Sequence, residues 1–430
     1  MNRLFCAATL AAIVLGLGCG GSSDPSRPKH GVAVFNGGWI GIVDADKRSV
    51  QTSFLSGEFG ASTGDLFDAV VSPDGKTAIV SSFGAMKVHF IDLSRPSIPR
   101  HQGSLELSFF AEDIDVTPDG RFALVTDGGF STKVAVIDVQ KRTLVEEYNS
   151  NPTPDTPPVQ KARPDTARTS EALMDTVAPA CFNAVAVAKD GKTVLGVDYS
   201  GCKIHVLTLD AKGHLTYVKA IDMPTAVDGN GNTFSTLRPI NVTISPNGKT
   251  ALVACGAANN SVTWMAFPVL QISAPGQVAL SQLATSSTHL TAAQSIAFNP
   301  SGMKAYAFCT QENPTNLLPD DPAYPRNVIV ELNIQDPGVA ACGRVFPTDF
   351  VGSSQLFGVD TVAMDPEGRY LYVGNMTLSG AKKQIQILDA AKGTWVKTLS
   401  FPAVTVPPTT AGGSATEEDA YPTAIAFARH

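Results

Sequence analysis

Six times along the chain an alternating apolar run ends in the same kind of turn. The runs open at Asp68, Asp113, Ala184, Asn241, Ser295 and Thr361, and they close on Gly75, Gly120, Gly191, Gly248, Gly302 and Gly368. A period of two predicts strands rather than helices. In five of the six turns a proline presets φ, an acidic, Asn or Ser residue supports the bend, and the glycine accepts positive φ. In the third turn Lys189 stands in the proline position. A second alternating run follows each turn, as in Thr77 to Ser81, Phe122 to Thr126 and Tyr370 to Gly374. A third comes next, as in Lys87 to Asp92, Lys133 to Asp138 and Gln384 to Asp389, and a weaker fourth closes the unit, as in Leu144 to Tyr148 and Trp395 to Leu399. Each unit is therefore predicted to be a four-stranded antiparallel meander. A meander with two apolar faces cannot bury both by itself, so the units must stack face to face, and closing them into a ring protects the edges.

The chain ends supply the number of units. Val32 to Phe35, Ile40 to Asp44 and Arg48 to Phe54 are the second, third and fourth strands of a unit without a first. Tyr421 to Ala428 reads as a first strand that stops at its turn. Six complete units and one shared between the ends predict an all-β fold, a seven-bladed β-propeller closed by the C-terminal strand pairing into the N-terminal blade. Successive turn glycines lie 45, 71, 57, 54 and 66 residues apart, whereas a minimal blade needs about 40 to 45. The surplus falls in 149–180, 223–237, 310–327 and 402–420, all at the end of the ring opposite the Pro-acidic-Gly turns. Tight turns at one end and long, varied loops at the other predict that the looped end is the working one.

Leu371 to Asn375 and Leu124 to Asp127, each between a Pro-acidic-Gly turn and a V-x-V-I-D-like strand, carry a family resemblance. Residues 31 to 430 resemble the bacterial YVTN-type seven-bladed β-propeller repeats. The resemblance implies a surface or periplasmic binding protein, and the family's relatives include propeller lactonases.

Before the ring, Arg3 is followed by the almost wholly apolar Leu4 to Leu17 and then Gly18-Cys19. That run is shorter than the roughly 20 residues of a membrane-spanning helix and has the layout of a secretory signal. It resembles a bacterial lipoprotein signal, with Leu15 four rather than three residues before the cysteine. The expected plan is a signal peptide over 1–18, a lipid on Cys19, a flexible tether over 19–30 and the propeller over 31–430. The protein is then expected at the bacterial cell envelope, touching the membrane through its lipid anchor alone. The balance of 32 Lys plus Arg against 39 Asp plus Glu, a net charge of −7, lacks the basic excess that phosphate backbones require and argues against nucleic acid. Among the cysteines beyond Cys19, the exported context and spacing predict a Cys181–Cys202 disulfide, with the pairing of Cys255, Cys309 and Cys342 left open.

The first strands should line the central channel. At their looped-end entrances stand Asp68, Asp113, Asn183, Asn241, Gln294, Asp360 and Thr423, with Arg238 just upstream of Asn241. Such a ring of oxygen-bearing side chains with one guanidinium is suited to a cation, a hydroxylated ligand or hydrogen bonds to neighbouring blades. Asp228, Asn230 and Asn232 have a D-x-N-x-N spacing that can turn three oxygens toward Ca²⁺, without the glycine and bidentate glutamate of a full loop. No cofactor motif is present, the seven histidines show no ligand spacing, and no nucleophile-base-acid set emerges. Two functions stay open: an envelope-anchored binding or scaffolding propeller, whose partner is an envelope protein or a small hydroxylated or cationic ligand, and a lactonase-like hydrolase acting at the channel mouth.

Overall fold

The computed structural model describes residues 28–429 except 36–37, 56–65, 129–131, 150–180, 228–232, 258–265, 287–289, 312–325, 352–360, 375–383, 402–404, 407–415 and 418–421. The signal, Cys19, Asp360 and the Asp228/Asn230/Asn232 triplet lie outside the described residues. So does most of the loop surplus.

Seven four-stranded antiparallel units run in sequence around the ring. Blade 1 is the shared one. Pro422–Phe427 pairs antiparallel with His30–Phe35, in the register Gly31↔Phe427, Val32↔Ala426, Ala33↔Ile425 and Val34↔Ala424. Blades 2, 3, 4 and 7 start with Leu66–Val71, Ile114–Val116, Ala184–Val187 and Thr361–Met364. Blades 5 and 6 start with Thr233–Ile244 and Leu290–Phe298, and a single pairing of Gly256 with Ala292 joins them into one continuous sheet. Thr225–Val227 folds back on the start of Thr233–Ile244 as a hairpin standing above the looped end.

Burial falls from the axis outward. The second strand Thr193–Asp198 is buried throughout, while the fourth strand Leu215–Asp222 is mostly open to solvent. The hydrophobic clusters sit between consecutive blades. Val70, Ile79 and Phe90 of blade 2 meet Ile114, Val116 and Ala123 of blade 3, and Ala33 and Phe35 of blade 1 meet Ala363, Tyr372 and Ile385 of blade 7. The closing interface adds a hydrogen bond from the Arg48 guanidinium to the Tyr370 hydroxyl at 2.6 Å.

The repeated turn works at two levels. Locally, the Gly75 amide donates to the Ser72 carbonyl (2.8 Å), and Asp74 Oδ1 accepts from the Ser72 hydroxyl (2.6 Å) and the Lys76 amide (3.0 Å). Thr117/Asp119 and Ser245/Asn247 repeat this arrangement. Between blades, the turn glycine packs on the proline of the preceding turn: a Cβ at Gly368, where φ is +71°, would fall 2.7 Å from Pro300 Cδ. Blade 1 has no proline of its own to offer. Pro28, just before the first described strand, fills the place beneath Gly75.

Candidate functional site

Side chains on the first strands stitch six of the seven blades to the next; the first strand of blade 4, Ala184–Val187, has no polar side chain for the task. Asp68 Oδ2 accepts from the Ile114 amide of blade 3 at 3.1 Å, and Asp113 Oδ2 from the Val185 amide of blade 4 at 2.7 Å. Thr243 donates to the Ile296 carbonyl at 2.9 Å, Ser295 Oγ accepts from the Val362 amide at 3.1 Å, and Thr361 Oγ1 from the Ile425 amide at 3.3 Å. Thr423 joins blade 1 to blade 2 by donating to the Leu66 carbonyl at 3.2 Å. Hydrogen bonding to the neighbouring blade is thus one role of these positions, and Asp68 and Asp113 share it.

Several members of the expected ring sit differently. Asn183 has the opposite parity from Asp113: its Nδ2 donates back to the Gly128 carbonyl of blade 3 at 3.2 Å, and its Oδ1 accepts from the Tyr199 amide at 3.0 Å. Gln294 is buried, one residue before the stitching Ser295. Next to Asp360, Thr361 holds the stitching position in blade 7. Asn241 keeps the parity of Thr243 and is half-buried. Arg238 lies toward blade 4. Its guanidinium lies 5.3 Å from the centre of the Tyr199 ring and beside Cys202.

The cation whose field reaches Asp68 is Arg429, whose Nη1 lies 3.0 Å from Asp115 Oδ1. Asp115 is buried on the first strand of blade 3 and also accepts from the Val116 amide of that strand and the Val187 amide of blade 4, at 2.8 Å each. Asp115 is the second carboxylate of the Asp113-Ile-Asp115 run, where the other units carry an apolar or hydroxyl residue. That was the available signal. Nothing in the local sequence pointed to Arg429, whose contact spans 314 positions.

Burial among protein atoms pushes the Asp68 carboxyl up to about 6, against hydrogen bonds from the Ala69 and Ile114 amides and the field of Arg429. Burial also raises Asp113 well above the carboxylate range, with the Asp68 charge as the next cause. Three phenylalanines cluster on the looped end of blades 2 and 3, two of them stacked. Phe67 lies 5.9 Å from Phe83, and Phe83 lies 4.8 Å from Phe110 at an interplanar angle of 16°. Phe110 is 40% exposed. The arrangement offers two carboxylates from different blades on a rigid ring, next to an open aromatic face.

The expected Cys181–Cys202 bridge does not form: all five described cysteines are free thiols. The two residues lie on opposite faces of blade 4. Cys181 looks toward blade 3, near Asp127 and Asp198, while Cys202 packs into the cluster shared with blade 5, near Arg238 and Cys255. Burial raises Cys181 to about 12, which makes it a poor thiolate. Among the described residues no group of three or more metal-ligating side chains converges. Two histidines do meet, although linear spacing hid it: His89 Nδ1 lies 3.3 Å from His101 Nε2 across adjacent strands, far from the channel.

No protein-family model matches the chain, and no curated protein does. Solved structures do resemble it. A functionally unknown protein from Desulfotomaculum acetoxidans superposes with a TM-score of 0.62 at 16% identity, over 86% of this chain and 95% of that one. A Bacteroides fragilis protein provisionally named a 6-phosphogluconolactonase gives 0.56 at 14% identity, over 94% and 99%. The Swd1 β-propeller domain of Myceliophteria thermophila gives 0.50 at 10% identity, over 85% and 92%. At such identities the likeness concerns architecture, and the chain shares the β-propeller fold.

Proposed function

We propose that this protein is a non-catalytic binding propeller of the bacterial cell envelope, held by a lipid on Cys19, that captures a small cationic or hydroxylated ligand at its looped channel mouth. The observation that carries this reading is chemical redundancy. Ser295, Thr361 and Thr423 stitch their blades with neutral hydroxyls, so the structural task does not require a carboxylate. At Asp68 and Asp113 the same task is done by acids that burial makes reluctant to ionise. Carboxylates held that way favour a partner that brings positive charge or hydroxyl donors, because each raised pKa measures unrelieved desolvation. The phenylalanine stack beside them supplies an apolar and cation-attracting face. A rigid ring presents these groups with little ordering cost on binding.

The test is a thermal-shift panel of polyamines, quaternary ammonium compounds and sugars on the purified protein. Stabilisation by a member of the panel is expected, and for a cation it should strengthen as the pH passes upward through about 6. Asp68→Asn with Asp113→Asn should abolish it. A response that survives the double substitution, or no response to any member, overturns the reading.

A lactonase-like hydrolase is the second reading. The specific observation in its favour is the Asp68/Asp113 pair itself, since one carboxylate could serve as base while the other retains a proton. The provisional name of the Bacteroides fragilis relative points the same way. Turnover of a lactone that disappears in Asp113→Asn would favour it.

A further inference from the structure

We propose that the turn end of the ring is a membrane-docking surface that settles on anionic lipid headgroups. It rests on the envelope reading only for the presence of a membrane. Three observations meet at this end. First, a cation follows the turn glycine in five of the six complete units: Lys76, Arg121, Lys192, Lys249 and Arg369, all exposed. The turn acids do not cancel them evenly. Asp74, Asp119, Asp190 and Glu367 offset four of the five, Glu367 by pairing with Arg369, while blade 5 has the neutral Asn247 and leaves Lys249 uncompensated in its turn. A chain whose overall charge is −7 therefore has a small cationic excess on these turns, with the longer Lys and Arg side chains exposed around the circle.

Second, the sixth unit puts Met303 in the same position. It is 66% exposed, and Ile98, between the third and fourth strands of blade 2, is 59% exposed. These are the two most exposed large apolar side chains among the described residues, and both project from the turn end. Basic residues interleaved with protruding apolar ones suit the headgroup layer, where cations meet phosphate and apolar tips reach the acyl boundary. Third, the chain reaches the ring at this end. Pro28 packs beneath Gly75, and His30–Phe35 starts from the turn side. Nine peptide steps separate Cys19 from Pro28, a reach of at most about 30 Å, so a lipid on Cys19 would hold this end, not the looped one, near the bilayer.

The test uses the chain from Gly20 onward, which keeps all seven blades and carries no lipid, in co-sedimentation with vesicles. Binding is expected to phosphatidylcholine vesicles containing phosphatidylglycerol and not to phosphatidylcholine alone, and it should weaken in high salt. Lys76→Glu, Arg121→Glu and Lys192→Glu together should reduce it by at least roughly tenfold, and Met303→Ser with Ile98→Ser should reduce it several-fold. Lys203→Glu, at the looped end, should leave it unchanged. Equal binding to neutral vesicles, retention in the triple variant, loss in Lys203→Glu, or preference for duplex DNA over the anionic vesicles overturns the proposal. Mass spectrometry of Cys19 from cells is read separately: an unmodified cysteine would refute the anchor while leaving the vesicle result standing.

Discussion

Replacing Asp68 by asparagine is expected to stabilise the ring above about pH 6. The asparagine Oδ1 can still accept from the Ile114 amide, now at 3.1 Å from Asp68 Oδ2, so the stitch between blades 2 and 3 survives while the buried charge does not. The carboxyl titrates near 6 in the folded protein against an ordinary 3.8. A folded pKa above the unfolded one means that the stability associated with the proton is complete below about 3.8 and is lost as the pH rises through about 6. The gap corresponds to about 3 kcal/mol at 1.36 kcal/mol per pH unit. Asp68 is only partly buried, and solvent in the channel reduces this to about 1–3 kcal/mol. The assay is urea unfolding of wild type and Asp68→Asn at intervals from pH 4 to 8. Because Asp68 also helps to hold the Asp113 carboxyl up, the difference in unfolding free energy reports the coupled pair. It should grow between pH 4 and 6 and then level off. A difference that stays flat, or that grows toward acid, would refute the account of a carboxylate held against its will.

The His89–His101 pair should act in the opposite sense. Burial lowers His89 to about 4 from 6.5, so its share of stability is present above pH 6.5 and is lost as the pH falls toward 4, about 3 kcal/mol in full; His89→Gln should flatten the acid limb of the stability profile. Gly368→Ala introduces a side chain at φ +71° and 2.7 Å from Pro300 Cδ, and should cost at least about 1–2 kcal/mol in thermal unfolding. Reducing agent should leave the melting temperature unchanged, and thiol counting under non-reducing denaturation should find Cys181 and Cys202 free. Deleting Pro422–Phe427 removes the strand that pairs with His30–Phe35 and should abolish cooperative unfolding.

The ring was legible in the sequence because its information is local. Period-two alternation and the Pro-acidic-Gly turn are written within eight residues, and they recur. The split blade was legible for the same reason, since three strands without a first and a first strand without its turn can be matched by pattern. The candidate site was only half legible. The first strands are irregular at their looped ends, with register shifts between Leu66 and Ala69, Pro239 and Asn241, and Ala293 and Ser295. Counted back from the turn glycine, Asp68, Asp113 and Asn241 stand seven residues away and Asn183 and Gln294 eight, and one residue along a strand exchanges the two faces. Side-chain parity likewise defeated the disulfide: Cys181 and Cys202 share a blade but not a face. Contacts that depend on ring closure, such as Arg429 with Asp115, leave no trace in local pattern at all.

That last contact decides how the channel can be used. Arg429 follows the first strand of blade 1, at the turn end, and reaches inward to a carboxylate two residues below Asp113. Asp115 has its negative charge matched by Arg429 and by two amide donors. Asp68 and Asp113, above it, each accept an amide from the next blade, and burial still holds both carboxyls up. A cation entering from the looped end would therefore meet Asp68, ionised above about pH 6, before the Arg429 guanidinium, so its favourable position lies on the looped side of Asp115. Arg429→Ala should then deepen cation binding by removing the floor, whereas a ligand recognised through an anionic group would lose affinity in that variant. The sign of this one change distinguishes the two kinds of occupant.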